Sequence, residues 1–324
     1  MRLRIVRSAL GSGHPTWIRP GGSAACMHAK ASRTRRTACD TRGGGGAKVG
    51  FDAEEMQKEG NVGMRCLGWL LGSLVALGCA TSPTGRTQFL LFSERDLDRM
   101  GFEAFEAIKT DESVSRDAET NEYVRCVAEA ITAVLPSGER SGWEVVVFED
   151  EDVNAFALPG RKIGVQTGLL AVAHDQDQLA SVIGHEVGHV MAQHANERMS
   201  QNFAAGTVLS GAQIALGDDS PESRALLGAL GLGTQFGVLL PFSRSHESEA
   251  DLIGIELMAR AGFDPAAAPA LWRNMARAGG SQPPEWASTH PSHGTRIADL
   301  QRAVPAAELL RQEALANGLR PDCE

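Results

Sequence analysis

Between positions 185 and 189 the chain reads His185-Glu186-Val187-Gly188-His189. This spacing restricts the fold more than any other stretch. On an α-helix each residue turns about 100°, so the two histidines lie only about 40° apart on one face. Two imidazoles aimed at one point are what Zn²⁺ takes as ligands. Glu186 faces nearly the same way and can hold a water beside the metal without ligating it. Leu179, Val182, Ile183 and Val190 form an apolar strip next to the histidines. Gly184, Gly188 and Ala192 form a narrow small-residue strip where another segment can come close. A bare motif of this kind also arises by chance on surface helices, so the metal reading needs a third ligand.

One source would be the pattern that continues the motif with glycine at 192 and histidine at 195. Both positions are alanine, so it fails. The helix is predicted to run from Asp175 or Asp177 to about Met199. On it His194 lies about 180° around from His185 and is read as a helix-face or core histidine. The alternative is a carboxylate from a second helix, and Ser243-Arg244-Ser245-His246-Glu247-Ser248-Glu249-Ala250-Asp251 offers one. Glu247 and Asp251 are four apart, hence on one face. Glu247 can ligate while Asp251 accepts the other ring N–H of a liganding histidine. Glu249 is about 160° away from Asp251 and is the weaker candidate. The bland reading of these acids is a solvated helix start, where carboxylates are favoured anyway.

Charge divides the chain. Residues 1–63 hold 11 basic and 5 acidic side chains, a balance of +6, and the remainder carries −15. The acidic body argues against nucleic acid as a partner. Residues 1–63, rich in Arg, Gly and Ser, are read as disordered or as sequence upstream of the true start. The alternative is a basic organelle-targeting peptide. Residues 64–78 then form a second signal, a positive start leading into an apolar core too short for a membrane span. Ala76-Leu77-Gly78-Cys79 resembles a bacterial lipobox with an imperfect residue order, which makes Cys79 the candidate lipidation site and anchor to a membrane. No cysteine pair has C-x-x-C spacing, so a cysteine zinc site is not expected. Cys126 and Cys323 are candidates for a disulfide in an oxidising compartment.

In the body, residues 79–92 are expected as a polar tether, followed by a domain over 93–324. Helices are expected from Ser93 to about 109, from Asp117 to Val134, in two pieces over 201–241, and over 305–317. Pro321 to Glu324 reads as a free tail. Trp143 to Phe148 reads as a strand, and residues 154–170 as a hairpin bent at Pro159-Gly160. The second hairpin strand is short and contains glycine, so this stretch reads equally as an edge strand, to which an extended peptide can add, and as part of a plain packed hairpin; the substrate is expected along residues 163–167. The apolar run Leu226 to Phe242 is expected as a packed helix.

Four separated features now carry a resemblance. They are Asn154 to Gly160 with Gly168-Leu169-Leu170, then His185 to His189, then Ser243-Arg244 with Glu247-Ala250-Asp251, and last His290-Pro291 with Arg296. In this order they resemble the zinc metallopeptidases that include HtpX and the CAAX prenyl proteases. The expected branch is that of the periplasmic lipoprotein and BepA/LoiP-type enzymes. Arg161-Lys162 departs from the pattern, which usually has another glycine after Gly160. The resemblance implies a mainly helical α+β, zincin-like fold, one Zn²⁺ held by His185, His189 and Glu247, and Glu186 as general base. It implies that His290 either bonds the tetrahedral intermediate or closes the fourth metal position. Arg296 either stabilises the oxyanion or holds acidic neighbours, and His293 carries no signal. The expected role is hydrolysis of unfolded or extended polypeptides in envelope protein quality control, at an outer membrane facing the periplasm. Two rivals remain: a chaperone-like scaffold with a latched zinc site, and an organelle-targeted membrane protease.

Overall fold

The computed structural model describes residues 79–216, 243–278, 290 and 294–323. The expectations for residues 1–78, for Leu226 to Phe242 and for His293 lie outside the described residues. A two-stranded ribbon of β1 (Cys79–Thr81) and β2 (Thr87–Phe89) leads into α1 (Glu94–Asp111) and α2 (Ala118–Ala133). Ser93 and Asp117 cap these helices, each accepting from a backbone N–H of the first turn. Three strands follow: β3 (Glu144–Phe148), β4 (Ala155–Leu158) and β5 (Lys162–Gln166). The rest is helical: α3 (Thr167–Leu170), α4 (Gln176–Met191), α5 (His194–Leu216), α6 (Arg244–Arg260), α7 (Ala267–Ala278) and α8 (Gly294–Ala316). The architecture is therefore mainly α with one small mixed sheet, as the sequence implies. Among the described residues no helix is long and apolar enough to cross a membrane.

The sheet corrects one expectation. Its order is β3-β5-β4, with β5 parallel to β3 and antiparallel to β4. The glycine-containing strand is central, so residues 163–167 do not offer the edge along which substrate is expected. Gly164 has a packing reason instead. A Cβ there would lie 2.3 Å from Phe156 Cζ, so the missing side chain makes room for the ring opposite it. Phe156 in turn stacks on Phe148 and meets Phe105 edge-on. The strand also ends earlier than expected, because residues 167–170 form α3.

The helix carrying the motif is almost wholly buried and starts at Asp175, whose side chain accepts from the Gln178 N–H. It stops at Met191 rather than Met199. Gln193 adopts φ 52°, a left-handed conformation, and the chain restarts as α5 at His194. Asn196 Nδ2 donates to Gln193 Oε1 across this corner at 3.2 Å. No glycine or proline marks the break, which is why periodicity reads one continuous helix.

Opposite α4 runs α6, capped by Ser243. Their crossing is tight enough that a Cβ on Gly184 would lie 2.8 Å from the Gly254 carbonyl oxygen, and one on Gly254 would lie 2.7 Å from His185 N. The small-residue strip thus does what its composition suggests, letting two backbones touch. Both ends of the described chain also close on α4. Gln88 Nε2 donates to the Ala192 carbonyl at 2.5 Å, so the stretch expected as a tether is packed down. The expected free tail is fixed too. Cys323 is bonded to Cys126, its N–H donates to Gln176 Oε1 at 3.0 Å, and Gln176 Nε2 donates to the Pro321 carbonyl.

Candidate metal centre

His185 and His189 on α4, Glu247 on α6 and His290 meet at one buried point, with one donor atom from each within 4.8 Å of all the others. His185 Nε2 lies 3.0 Å from His189 Nε2 and 3.3 Å from His290 Nδ1. Glu247 Oε1 lies 3.4 Å from His189 Nε2 and 3.2 Å from His290 Nδ1, and Glu247 Oε2 lies 3.5 Å from His185 Nε2. A tetrahedron with arms of about 2.1 Å has edges of about 3.4 Å. The donor spacing therefore fits one tetrahedral zinc ion, and nitrogen with carboxylate oxygen is a donor set that zinc prefers. Glu186 is buried beside them, with Oε1 3.5 Å from His290 Nε2.

The outer groups fix which nitrogens face inward. His185 Nδ1 is 3.0 Å from Asp251 Oδ1. An ionised carboxylate can only accept, so Nδ1 carries a proton and Nε2 is the nitrogen that faces the centre, free to ligate once its own proton leaves. Arg296 grips Asp251 with a fork, Nε to Oδ2 and Nη2 to Oδ1, both at 2.7 Å, and its Nη1 is 2.8 Å from Glu247 Oε2. It also lies over the Trp272 ring at 4.1 Å. Of the two roles implied for Arg296, the geometry is that of holding acidic neighbours.

A second set lies behind His189, and periodicity misses it. His194 Nδ1 is 2.9 Å from His189 Nδ1, and His194 Nε2 is 3.2 Å from Glu249 Oε2. His194 reaches the site because the helix breaks at Gln193. Glu249, the discounted carboxylate, also accepts from Thr84 Oγ1 at 2.6 Å and Arg86 Nε at 2.8 Å. Arg86 extends a fork to Glu197 at 2.7 and 2.6 Å, and Glu197 meets His246 Nε2 at 3.1 Å. His246 stacks on His194. The available signal was the polar run Gln193 to Arg198, too charged for an ordinary buried helix.

Electrostatics separate the two histidines. Burial lowers the His185 pKa, but Asp251 and Glu247 more than offset it and carry the value to about 9. His189 is pushed well below its usual value by burial and by His185 and His290. Burial likewise brings His194 to about 4, against the hydrogen bond to Glu249. Burial would raise Glu247, yet His185 and His290 hold it far below the ordinary carboxylate range. In the metal-free protein, then, one proton on His185 partly neutralises the acids that a cation neutralises otherwise.

A pair of histidines four apart on one helix, a glutamate from a second helix and a buried glutamate beside the metal point define the class of a zincin-type zinc metallopeptidase. The chain belongs to Peptidase family M48, whose profile matches residues 118–304. It is 34% identical over 258 residues to the mitochondrial metalloendopeptidase OMA1 of Schizosaccharomyces pombe, covering 75% of this chain and 74% of that one. The human mitochondrial metalloendopeptidase OMA1 is 30% identical over 71% of this chain and 46% of its own. The beta-barrel assembly-enhancing protease of Escherichia coli K12 is 36% identical, but over only 47% of this chain and 32% of its own. The chain thus spans about half the length, or less, of several curated relatives it matches. These findings correct two expectations. The more extensive likeness is to OMA1, not to the BepA/LoiP branch. The placement as a bacterial outer-membrane lipoprotein facing the periplasm is also overturned, since the relatives matched over most of this chain are mitochondrial.

Proposed function

We propose that this peptidase is a metalloendopeptidase of protein quality control at an organelle membrane, cutting unfolded or extended polypeptide. The observation that carries the chemistry is the convergence of His185, His189, Glu247 and His290 at tetrahedral spacing. Zinc held there would act as a Lewis acid, polarising the scissile carbonyl and acidifying a water. His185, His189 and Glu247 are the resident ligands. Glu186 takes the proton of the attacking water and passes it to the leaving amine. His290 offers Nδ1 as a fourth donor to such an ion, and with that imidazole in place substrate would have to displace it. The peptide lies along β4, an edge strand of this sheet among the described residues that packs against α4, since β5 is enclosed on both sides. The acidic body disfavours nucleic acid as a partner.

The organelle placement draws on the names of the mitochondrial relatives and on the +6 balance of residues 1–63. It needs Cys79, exposed at the start of β1, to carry no acyl chain. Mass spectrometry of the mature N-terminus is expected to show Cys79 without lipid, and an acylated Cys79 refutes the placement. For the chemistry, Glu186→Gln should keep zinc and lose about 10²–10⁴-fold in casein cleavage. A variant with zinc and wild-type cleavage removes Glu186 from the mechanism.

A further inference from the structure

The metal point has two outer shells, and the second leads outside the part of the chain that defines the family. From His189 it runs through His194 and Glu249 to Thr84 and Arg86, and residues 84 and 86 precede the matched segment 118–304. We infer that His194 and Glu249, fastened by Thr84 and Arg86, are positioning residues that set the tautomer of His189 and so present its Nε2 to the metal. This rests on the reading of the site as a zinc site.

The assignment follows from counting protons along the chain of contacts. Glu249 receives Thr84 Oγ1–H and Arg86 Nε–H and is ionised, so it can only accept. The 3.2 Å contact from His194 Nε2 therefore needs the proton on that nitrogen. A neutral His194 then has only a lone pair on Nδ1. The 2.9 Å contact between the two Nδ1 atoms requires one proton, which must come from His189. His189 is left with its lone pair on Nε2, 3.0 Å from His185 Nε2. Reversing any link would put a hydrogen on His189 Nε2 and abolish it as a ligand. Nothing in the relay can readily turn. His194 is fully buried, Glu249 and Glu197 are 4% exposed, and His246 is stacked against the His194 ring. Arg86 clamps the outer end by joining Glu249 to Glu197.

The test uses the full chain, with zinc affinity measured by chelator competition and the imidazole nitrogens observed by ¹⁵N NMR. Zinc-loaded wild type is expected to show His189 protonated at Nδ1 and bound through Nε2. His194→Leu should bind zinc about 10–100-fold more weakly. His194→Gln, whose amide can accept from His189 and donate to Glu249, should restore most of the loss. Arg86→Ala should fall at the weak end, near tenfold. Wild type that binds zinc through His189 Nδ1, or a His194→Leu protein that folds and binds zinc as tightly as wild type, overturns the relay. Equal losses in the Leu and Gln variants do the same. If His194→Leu does not fold, the wild-type spectrum and the Gln variant still decide. Wild type that takes up no zinc sinks the parent reading instead, a distinct result.

Discussion

The two zinc-ligand histidines sit one turn apart on the same helix, yet they are supported in opposite ways. Behind His185 stands a carboxylate in direct contact, Asp251, pinned by the buried Arg296 of α8. Behind His189 stands another imidazole, with its carboxylate one step further out and an arginine from the turn between β1 and β2. The first support is compact and closed: Arg296 is 2% exposed and fixed between two carboxylates and an indole. The second is longer and reaches the surface, where the Arg86 side chain is 27% exposed. One motif thus acquires a rigid side and a side open to what happens at the N-terminal segment.

The largest difference should appear on removing each arginine. Arg296→Leu leaves Asp251 and Glu247 buried without their cation and should cost about 3–5 kcal/mol in denaturant unfolding. Arg86→Leu lets water reach Glu197 and Glu249 and should cost about 1.5–3 kcal/mol. Equal losses would erase the contrast. Next comes zinc uptake. His185 is charged at pH 7 in the metal-free protein because its pKa is about 9, whereas His189 is neutral. Calorimetry in buffers of differing ionisation heat should show about one proton released per zinc at pH 7. Asp251→Asn should reduce that release.

A smaller effect sharpens the comparison through pH. The His185 pKa is raised, so its contribution to metal-free stability is complete below about 6.5 and lost as pH rises through about 9. The His194 pKa is lowered to about 4, so the unfolded chain binds the proton more readily. Stability then falls as pH drops from about 6.5 towards 4. Glu197, brought to about 2 by His246 and Arg86 against burial, adds a further loss between about 4.5 and 2. Denaturation of chelator-treated protein across pH should show both flanks. His194→Gln should flatten the flank between pH 6.5 and 4, and Asp251→Asn the alkaline one. The smallest expected change is a modest rise in casein cleavage for His290→Ala, because an unlatched fourth corner admits substrate more readily. A fall would return His290 to bonding the tetrahedral intermediate.

The rigid side was legible in the sequence and the open side was not. Glu247 and Asp251 share a helix face by simple spacing, and the glycine strip on α4 announced a close neighbour. His194 is a core histidine, as read, but its contact with His189 is hidden from periodicity because it depends on one left-handed residue, Gln193, that has no glycine or proline to flag it. Glu249 was discounted by an angle measured from Asp251, although it serves a different histidine. Arg86 lies 111 residues from Glu197 and 163 from Glu249, in a stretch that composition alone reads as a tether. Gly164 misled for the converse reason: it looks like edge chemistry but clears space for Phe156. Local periodicity carries what one helix does, and long-range contacts decide the rest.

The backbone contact at Gly184 and Gly254 has a further meaning for the chemistry. Where two helices rest on each other without side chains between them, their separation has no adjustable spacer. A single methyl at either position must push the helices apart, and the carboxylate of one then recedes from the imidazoles of the other. The span that a cation can bridge is set here by atoms the chain omits.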